Sequence, residues 1–142
     1  MRADRPVRRR CYSYLTDRCR RRLARLGKGE VVGVREGLLI VSIFGPSERN
    51  AAWYDLQKRF VARTTDVPYE YRVILNGIGR DGFHPTDVAV ANVENIGHGD
   101  ALMQAVELCR GHSHAAYLLL DSDAFPVKLS WYGVLTAELA RF

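Results

Sequence analysis

The 142-residue chain has no apolar run near the roughly 20 residues that cross a bilayer, and no apolar segment follows its basic amino terminus. The sequence therefore predicts neither a transmembrane helix nor a secretory signal, and we expect a cytoplasmic protein. Internal repeats and low-complexity tracts are also missing. A hydrophobic content of 47% with 26% charged residues is typical of one globular domain.

Cysteine is scarce and shows no pairing pattern. Cys11, Cys19 and Cys109 are odd in number, and no two of them form a C-x-x-C pair. We expect reduced thiols, in keeping with a reducing compartment. Cys109 is followed by His112 and His114, so a zinc site is an alternative, but no fourth ligand lies nearby in the sequence.

The basic charge is concentrated at the amino terminus. Residues 1–36 hold 12 Lys and Arg against 4 Asp and Glu, whereas residues 37–142 hold 9 against 12. Apolar residues at three- and four-residue spacing within 12–26 predict an amphipathic helix with a cationic face, and glycines follow it. We therefore divide the chain into a basic arm with a glycine-rich linker (1–37) and a body (38–142). The arm is predicted to bind an anionic surface, with the inner membrane surface favoured over nucleic acid.

The body alternates apolar strands with helices. Strands are predicted near 38–44, 69–75, 87–92 and 116–121, with helices between them. This alternation predicts an α/β fold, a three-layer α/β/α sandwich with a mostly parallel sheet in the order 3-2-1-4. In such sheets ligands bind at the carboxyl ends of the strands.

Finer helix features also follow from the pattern. Ser47 or Asn50 is predicted to cap the first helix of the body. Trp53, Leu56 and Phe60 are predicted to line one side of it. The last helix, about 130–141, is predicted to face inward with Trp131, Val134, Leu135 and Leu139.

The sharpest chemical signal is Asp121-Ser122-Asp123, directly after the apolar run 117–120. In extended chain, residues i and i+2 project to the same side, so the two carboxylates are expected to converge. Mn²⁺ and Mg²⁺ accept one or two carboxylates and leave positions for phosphate oxygens. We therefore predict a divalent-metal site at Asp121 and Asp123.

Two stretches resemble a known family. Residues 92–126, NVENIGHGDALMQAVELCRGHSHAAYLLLDSDAFP, look like the family 2 glycosyltransferases and their GT-A relatives, with N-x-G, an alanine-rich helix, and an apolar strand ending in D-x-D. Residues 38–50, LLIVSIFGPSERN, are similar to their first strand and turn. The resemblance implies a Rossmann-like nucleotide-sugar-binding half, a nucleotide-diphosphate-sugar donor and Mn²⁺ or Mg²⁺.

The resemblance also implies roles for individual residues. The donor and its nucleotide would contact Phe44, Gly45, Pro46, Ser47, Asn76, Asn95, Gly97, His98, Asp121 and Ser122, and the metal would be held by Asp121 and Asp123. In the family the second strand commonly ends in an acidic residue, whereas here Asn76 stands at that end. The acceptor half and its general base would follow the D-x-D motif, but only 19 residues do so here. We therefore expect a glycosyltransferase with an incomplete site, weak activity by itself and a tendency to self-associate.

Two other functions stay open. A strand ending in D-x-D also resembles the haloacid-dehalogenase phosphotransferases, in which Asp121 would be the nucleophile. That family has Thr or Val two residues after the second aspartate, where this chain has Phe125. A non-catalytic module that binds a nucleotide or another anion is the second alternative.

Overall fold

A computed structural model of the chain describes residues 35–47 and 49–141. Within them lie four strands and three helices. The strands are β1 (Arg35–Phe44), β2 (Tyr69–Asn76), β3 (Val88–Asn92) and β4 (His114–Asp121), and the helices are α1 (Asn50–Thr64), α2 (His98–Arg110) and α3 (Trp131–Leu139). Most of the predicted basic arm, with Cys11 and Cys19, lies outside the described residues.

The strands form one parallel sheet in the order β3-β2-β1-β4, and the predicted order is confirmed. The predicted α/β character is likewise confirmed. β1 lies between β2 and β4, and its residues 38–44 are all buried. This burial explains the nearly continuous apolar run, because a central parallel strand is covered on both faces.

Alternate residues of β1 supply two separate apolar clusters. Leu38, Ile40 and Phe44 pack on one face with residues of α1 and with Trp131 of α3. The intervening Leu39, Val41 and Ile43 pack on the other face with the small residues Ala101, Ala105 and Cys109 of α2. The alternation follows from the period of two residues in a strand.

β1 begins at Arg35, three residues before the predicted start at Leu38, so the end of the predicted linker belongs to the strand. The pairing with β4 shifts register between Arg35 and Leu38, and Gly37 lies there with φ 115°. A Cβ at Gly37 would stand 2.7 Å from the carbonyl oxygen of Pro68. Glycine is therefore part of the strand because it allows both the positive φ and the close approach.

The most deeply buried residues of α1 are not those of its predicted apolar side. The buried residues of this helix include Tyr54, Gln57 and Val61, whereas the predicted Trp53, Leu56 and Phe60 are only half buried. Gln57 occupies an inner position because its amide finds partners there, which compensates the desolvation of a polar group.

The predicted caps of α1 are also not formed. Arg49 is the N-cap residue, and it makes no side-chain capping hydrogen bond. The Asn50 amide donates instead to the Gly45 carbonyl oxygen at 2.8 Å, and the Ser47 hydroxyl accepts from the Arg49 backbone N–H at 3.3 Å. Both side chains therefore hold the turn between β1 and α1.

The prediction for the last helix is wrong for three of its four apolar residues. Trp131 is buried and donates its indole N–H to the Thr65 hydroxyl at 3.3 Å. Val134, Leu135 and Leu139 are exposed. α3 is therefore attached to the described body mainly by its first turn.

A charged network joins α1 to the connection between β2 and β3. The Tyr54 hydroxyl and the Lys58 ammonium both donate to Asp87 Oδ2, each at 2.5 Å, and the Tyr54 oxygen accepts from the His84 N–H. Burial raises the pKa of the Asp87 carboxyl, but the hydrogen bonds from Lys58 and Tyr54 outweigh it, and the pKa lies below its usual value. The network therefore stabilises the folded state through an ionised Asp87.

Among the described residues, no helix is long and apolar enough to cross a membrane.

Candidate functional site

The carboxyl ends of the parallel strands meet at one edge of the sheet, and the predicted site residues follow them. Asp121 lies beside Ile43 near the end of β1, and Asn76 lies beside Asn92 at the ends of β2 and β3. The same edge carries the turn that leads from β3 into α2. Polar residues from different parts of the chain are thereby brought together where α/β sheets commonly bind ligands.

The Asp121–Ala124 segment is a turn and not a continuation of the strand. β4 ends at Asp121, and the Ala124 N–H donates to the Asp121 carbonyl oxygen at 3.0 Å. The expectation that extended chain aligns the two carboxylates is therefore wrong. Asp121 and Asp123 instead belong to a hydrogen-bonded turn of four residues.

The buried side chain of Gln57 in α1 holds this turn through hydrogen bonds. Its side chain is fully buried, and its Nε2 donates to the carbonyl oxygens of Asp121 at 3.0 Å and Ala124 at 2.6 Å. Its Oε1 accepts the hydroxyl of Tyr71. One buried amide thus uses both of its donor hydrogens on the turn, so the carboxylate-bearing backbone is anchored to α1 and β2.

Both carboxylates of the turn face solvent. The Asp121 side chain is 63% exposed, Asp123 is exposed, and Ser122 between them is partly buried. The Nε2 atom of His98 stands 3.7 Å from Asp121 Oδ1, with both side chains well exposed. An exposed pair of this kind contributes little to the stability of the fold. Its interest is that the His98 imidazole and the Asp121 carboxylate are both accessible to a ligand at the same place.

The turn before α2 is organised by Asn76 at the end of β2. The Asn76 amide donates to Asn95 Oδ1 at 2.9 Å and to the Gly97 carbonyl oxygen at 3.3 Å, and its own oxygen accepts the Ile96 N–H at 2.9 Å. Asn95 Oδ1 also accepts the Gly97 N–H. Both donors of the buried Asn76 are therefore used within the protein, and this side chain positions the turn instead of presenting a free amide to a base.

The start of α2 is next to the Asp121 carboxylate. Gly97 is its N-cap residue, with φ 86°, and no side chain caps the helix. The first-turn N–H groups of an α-helix have no partner within the helix and favour anions. The contact between His98 and Asp121 thus brings a helix amino terminus and a carboxylate to the same place.

The segment after β1 divides into a buried and an exposed part. The Phe44 ring is fully buried and packs on the rings of Tyr54 and Phe83, so it does not line an open site. Pro46 and Ser47 are exposed, and Gly45 between them and Phe44 is partly buried. The resemblance implies that residues 44–47 contact the donor nucleotide, but the Phe44 side chain belongs to the core.

A cleft of about 280 Å³ lies beside this segment. Its walls come from the β1–α1 turn, from α1 and from the connection after β2, and they comprise Ser47, Asn50, Ala51, Ile78, Gly79, Asp81 and Phe83. The Oδ1 atom of Asn50 is buried without a hydrogen-bond partner. A second cleft of about 330 Å³ follows along the ends of β2 and β3, from Gly77 to Val93.

The donor set at the turn fits a cation that takes few protein ligands. No group of three or more His, Cys, Asp and Glu side chains suited to a metal ion is found within residues 35–47 and 49–141. Two carboxylates by themselves supply too few ligands for a cation that prefers six oxygens. Sites for Mg²⁺ and Mn²⁺ that include phosphate oxygens, however, commonly have only one or two protein carboxylates.

The three residues of the alternative zinc site, Cys109, His112 and His114, have different surroundings. Cys109 is buried against the sheet, and burial raises the pKa of its thiol. The His112 and His114 Nε2 atoms point instead at Glu70, at 3.9 and 3.3 Å from its carboxylate oxygens. The Arg72 guanidinium also pairs with Glu70 at 2.5 Å. This cluster is an ion-pair network at the amino-terminal part of the sheet.

Sequence reasoning missed Gln57 and the structural use of Asn50. Both are buried polar residues of α1, and a polar residue on the inner stripe of an amphipathic helix was the available signal. The partners of Gln57 lie 64 and 67 positions away, so the pattern alone did not reveal them.

The chain was compared with protein-family models, curated proteins and solved structures, and no significant match was found in any of the three comparisons.

Proposed function

We propose that this protein binds a nucleotide-diphosphate sugar together with Mn²⁺ or Mg²⁺ at the carboxyl edge of its sheet and transfers the sugar to an acceptor. The proposal includes a three-layer, Rossmann-like arrangement of the GT-A type, as the resemblance to family 2 glycosyltransferases implies. The observation that carries it is the Asp121–Ala124 turn, which Gln57 anchors and which presents two exposed carboxylates.

The surroundings of the turn support a ligand that carries a diphosphate. The start of α2, with no side-chain cap, and His98 lie on one side of Asp121. Helix amino termini bind phosphate oxygens through free N–H groups. A metal ion on Asp121 and Asp123 would neutralise charge on the departing diphosphate. The protein residues then hold and orient the phosphates between a cation and a helix end.

The clefts beside the turn supply room for the nucleoside. The β1–α1 turn contributes the exposed Pro46 and Ser47, and the connection after β2 contributes the opposite wall. Because the Asn76 amide and the Asn95 side-chain oxygen are engaged in the turn before α2, the choice of base is expected to depend on backbone groups and on Ser47 and Asp81. The catalytic base that deprotonates an acceptor hydroxyl is not assigned.

Calorimetric titration of the full chain with nucleoside diphosphates, with and without Mn²⁺, tests the proposal. Asp123→Asn removes one charge while keeping the shape of the side chain. It should weaken metal-dependent binding by about 1.5–3 kcal/mol, the range of a charge-assisted contact. The stability of the protein should change little, because the carboxylate is exposed.

Asp66→Asn is the matched control, since Asp66 is exposed in the connection between α1 and β2 at the opposite edge of the sheet. Equal affinity of the parent and the Asp123→Asn variant for Mn²⁺ and nucleoside diphosphate would exclude the proposed function. The phosphotransferase alternative gives a different result: Asp121 would take up beryllium trifluoride with Mg²⁺ in the absence of nucleotide.

A further inference from the structure

The outer edge of β4 is open in the part of the chain that the structure describes. Within residues 35–47 and 49–141, β4 pairs with β1 along one side and has no strand on the other. Its residues 115–120 contain neither proline nor a charged side chain. Natural edge strands usually carry such residues, or are very short, because a bare row of N–H and C=O groups pairs with other strands.

Exposed apolar side chains lie next to the same edge. Six of the nine large hydrophobic residues that are exposed among the described residues fall within 117–139. Leu139 is 72% and Val127 71% exposed. Between β4 and α3 an apolar cleft of about 360 Å³ is lined by Leu118, Leu120, Phe125, Trp131, Val134 and Leu135. Contiguous apolar surface of this kind marks an interaction site.

We propose that this surface, formed by β4 residues 115–120 and the apolar residues of 127–139, is the interface of a symmetric dimer in which two β4 strands pair antiparallel. A second copy offers both features that the surface needs: an unpaired strand and an apolar helix. A two-fold axis perpendicular to the sheet would continue it to eight strands and set the two α3 helices side by side on the same face.

The distribution of charge argues against an anionic surface as the occupant and sets the direction of pairing. Segment 114–139 contains Asp121, Asp123 and Glu138 against Lys128, so it is acidic, and an anionic lipid surface attracts basic segments instead. Parallel pairing would bring the two Asp121 and Asp123 pairs together. Antiparallel pairing separates them by the length of the strand, about 26 Å for eight residues at about 3.3 Å each.

The expected size of the interface sets its strength. The surface is about 26 Å long, the length of β4, and about 20 Å deep, the thickness of the sheet with one helix layer. Its area is therefore roughly 500 Å² per copy. Roughly 1,000 Å² in total is near the lower limit for a specific interface, so the dimer should dissociate in the micromolar range. The two carboxyl edges would lie at opposite ends of the joined sheet and would stay open to ligands.

The β3 edge provides an internal comparison. β3 has five residues, and short edge strands pair poorly. Ala115 on β4 and Ala89 on β3 are both exposed alanines on edge strands. The same substitution, Ala→Lys, therefore adds a charge to either edge without filling the core.

Sedimentation equilibrium of the full chain, over a series from low micromolar to sub-millimolar concentration, tests the proposal. The mass should rise with concentration from 16.1 kDa towards twice that value. Ala115→Lys and Leu139→Glu should each weaken association at least about tenfold, because pairing would have to desolvate the new charge. Ala89→Lys and Val93→Glu, both away from the surface, should associate as the parent does.

Hydrogen exchange gives a second readout. Amides within 115–120 should become more protected as the parent dimerises, and Ala115→Lys should abolish this concentration dependence while circular dichroism confirms its fold. A parent that stays monomeric throughout, with or without binding to anionic vesicles, overturns the proposal. Association that Ala115→Lys and Leu139→Glu leave unchanged overturns it as well, since the contact would then lie elsewhere.

Discussion

Replacing Gln57 with leucine should destabilise the protein far more than its helical position suggests. The side chain is fully buried, and leucine is similar in size. The substitution removes both bonds donated to the carbonyl oxygens of Asp121 and Ala124, and it removes the acceptor of the Tyr71 hydroxyl. The effect therefore comes from unsatisfied polar groups and not from a cavity.

The magnitude can be worked out from the groups left behind. The Asp121 carbonyl oxygen keeps its bond from the Ala124 N–H, whereas the Ala124 carbonyl and the Tyr71 hydroxyl lose the partner that Gln57 provides. Burial raises the pKa of Tyr71, so its hydroxyl stays protonated and still needs an acceptor. At about 1–3 kcal/mol for each of these two unsatisfied groups, the expected loss is about 2–6 kcal/mol of unfolding free energy.

Urea unfolding of the full-length variants measures this loss. Gln104→Leu is the control, because Gln104 pairs with Asn92 at a partly exposed position, and it should cost less than about 1 kcal/mol. A double-mutant cycle of Gln57→Leu with Tyr71→Phe should show a coupling of at least about 0.5 kcal/mol. If Gln57→Leu costs no more than Gln104→Leu, Gln57 does not anchor the turn as described.

Further predictions concern one glycine and one carboxylate. Gly77→Ala should cost about 1–3 kcal/mol in urea unfolding, since φ is 76° and a Cβ would stand 2.5 Å from the Asn95 backbone nitrogen. Gly79→Ala meets no atom within 4 Å and should change stability by less than about 1 kcal/mol. The Asp87 pKa is lowered in the folded state, so its contribution is present above the usual carboxyl pKa and is lost as the pH falls through the lowered value. The free energy of unfolding of Asp87→Asn should therefore fall less than that of the parent between about pH 5 and pH 2. Equal dependence of the two unfolding free energies on pH, measured by urea unfolding, would contradict this.

Much of the fold was predictable because it depends on local pattern. The apolar run of β1 and the alternation of strands and helices specify a parallel sheet, and the strand order was confirmed. The inward face of α3 was predicted wrongly and the buried Gln57 of α1 was missed, because helix periodicity does not distinguish a buried glutamine from an exposed leucine. Gln57 is buried through partners more than 60 positions away, and Leu139 is exposed because the described body offers no surface to cover it.

The candidate site was predictable in composition and less so in geometry. The Asp121–Asp123 motif and the turn before α2 could be located at one edge of the sheet from the strand pattern alone. The turn conformation of Asp121–Ala124 and the engagement of Asn76 could not, because both depend on side-chain hydrogen bonds between distant segments. The core position of Phe44 depends likewise on rings from α1 and from the β2–β3 connection.

The connection between β2 and β3 has eleven residues, and the ring of Phe83 in its middle packs on Phe44 and Tyr54 with centroids 5.1 and 4.9 Å away. The conformational entropy of this segment, about 1–2 kcal/mol per residue fixed, is therefore lost when the protein folds and not when a ligand arrives. A ligand entering the cleft beside Ser47 meets a wall that is already ordered. The affinity of such a ligand would carry no penalty for closing that wall, and its association would not wait for loop closure.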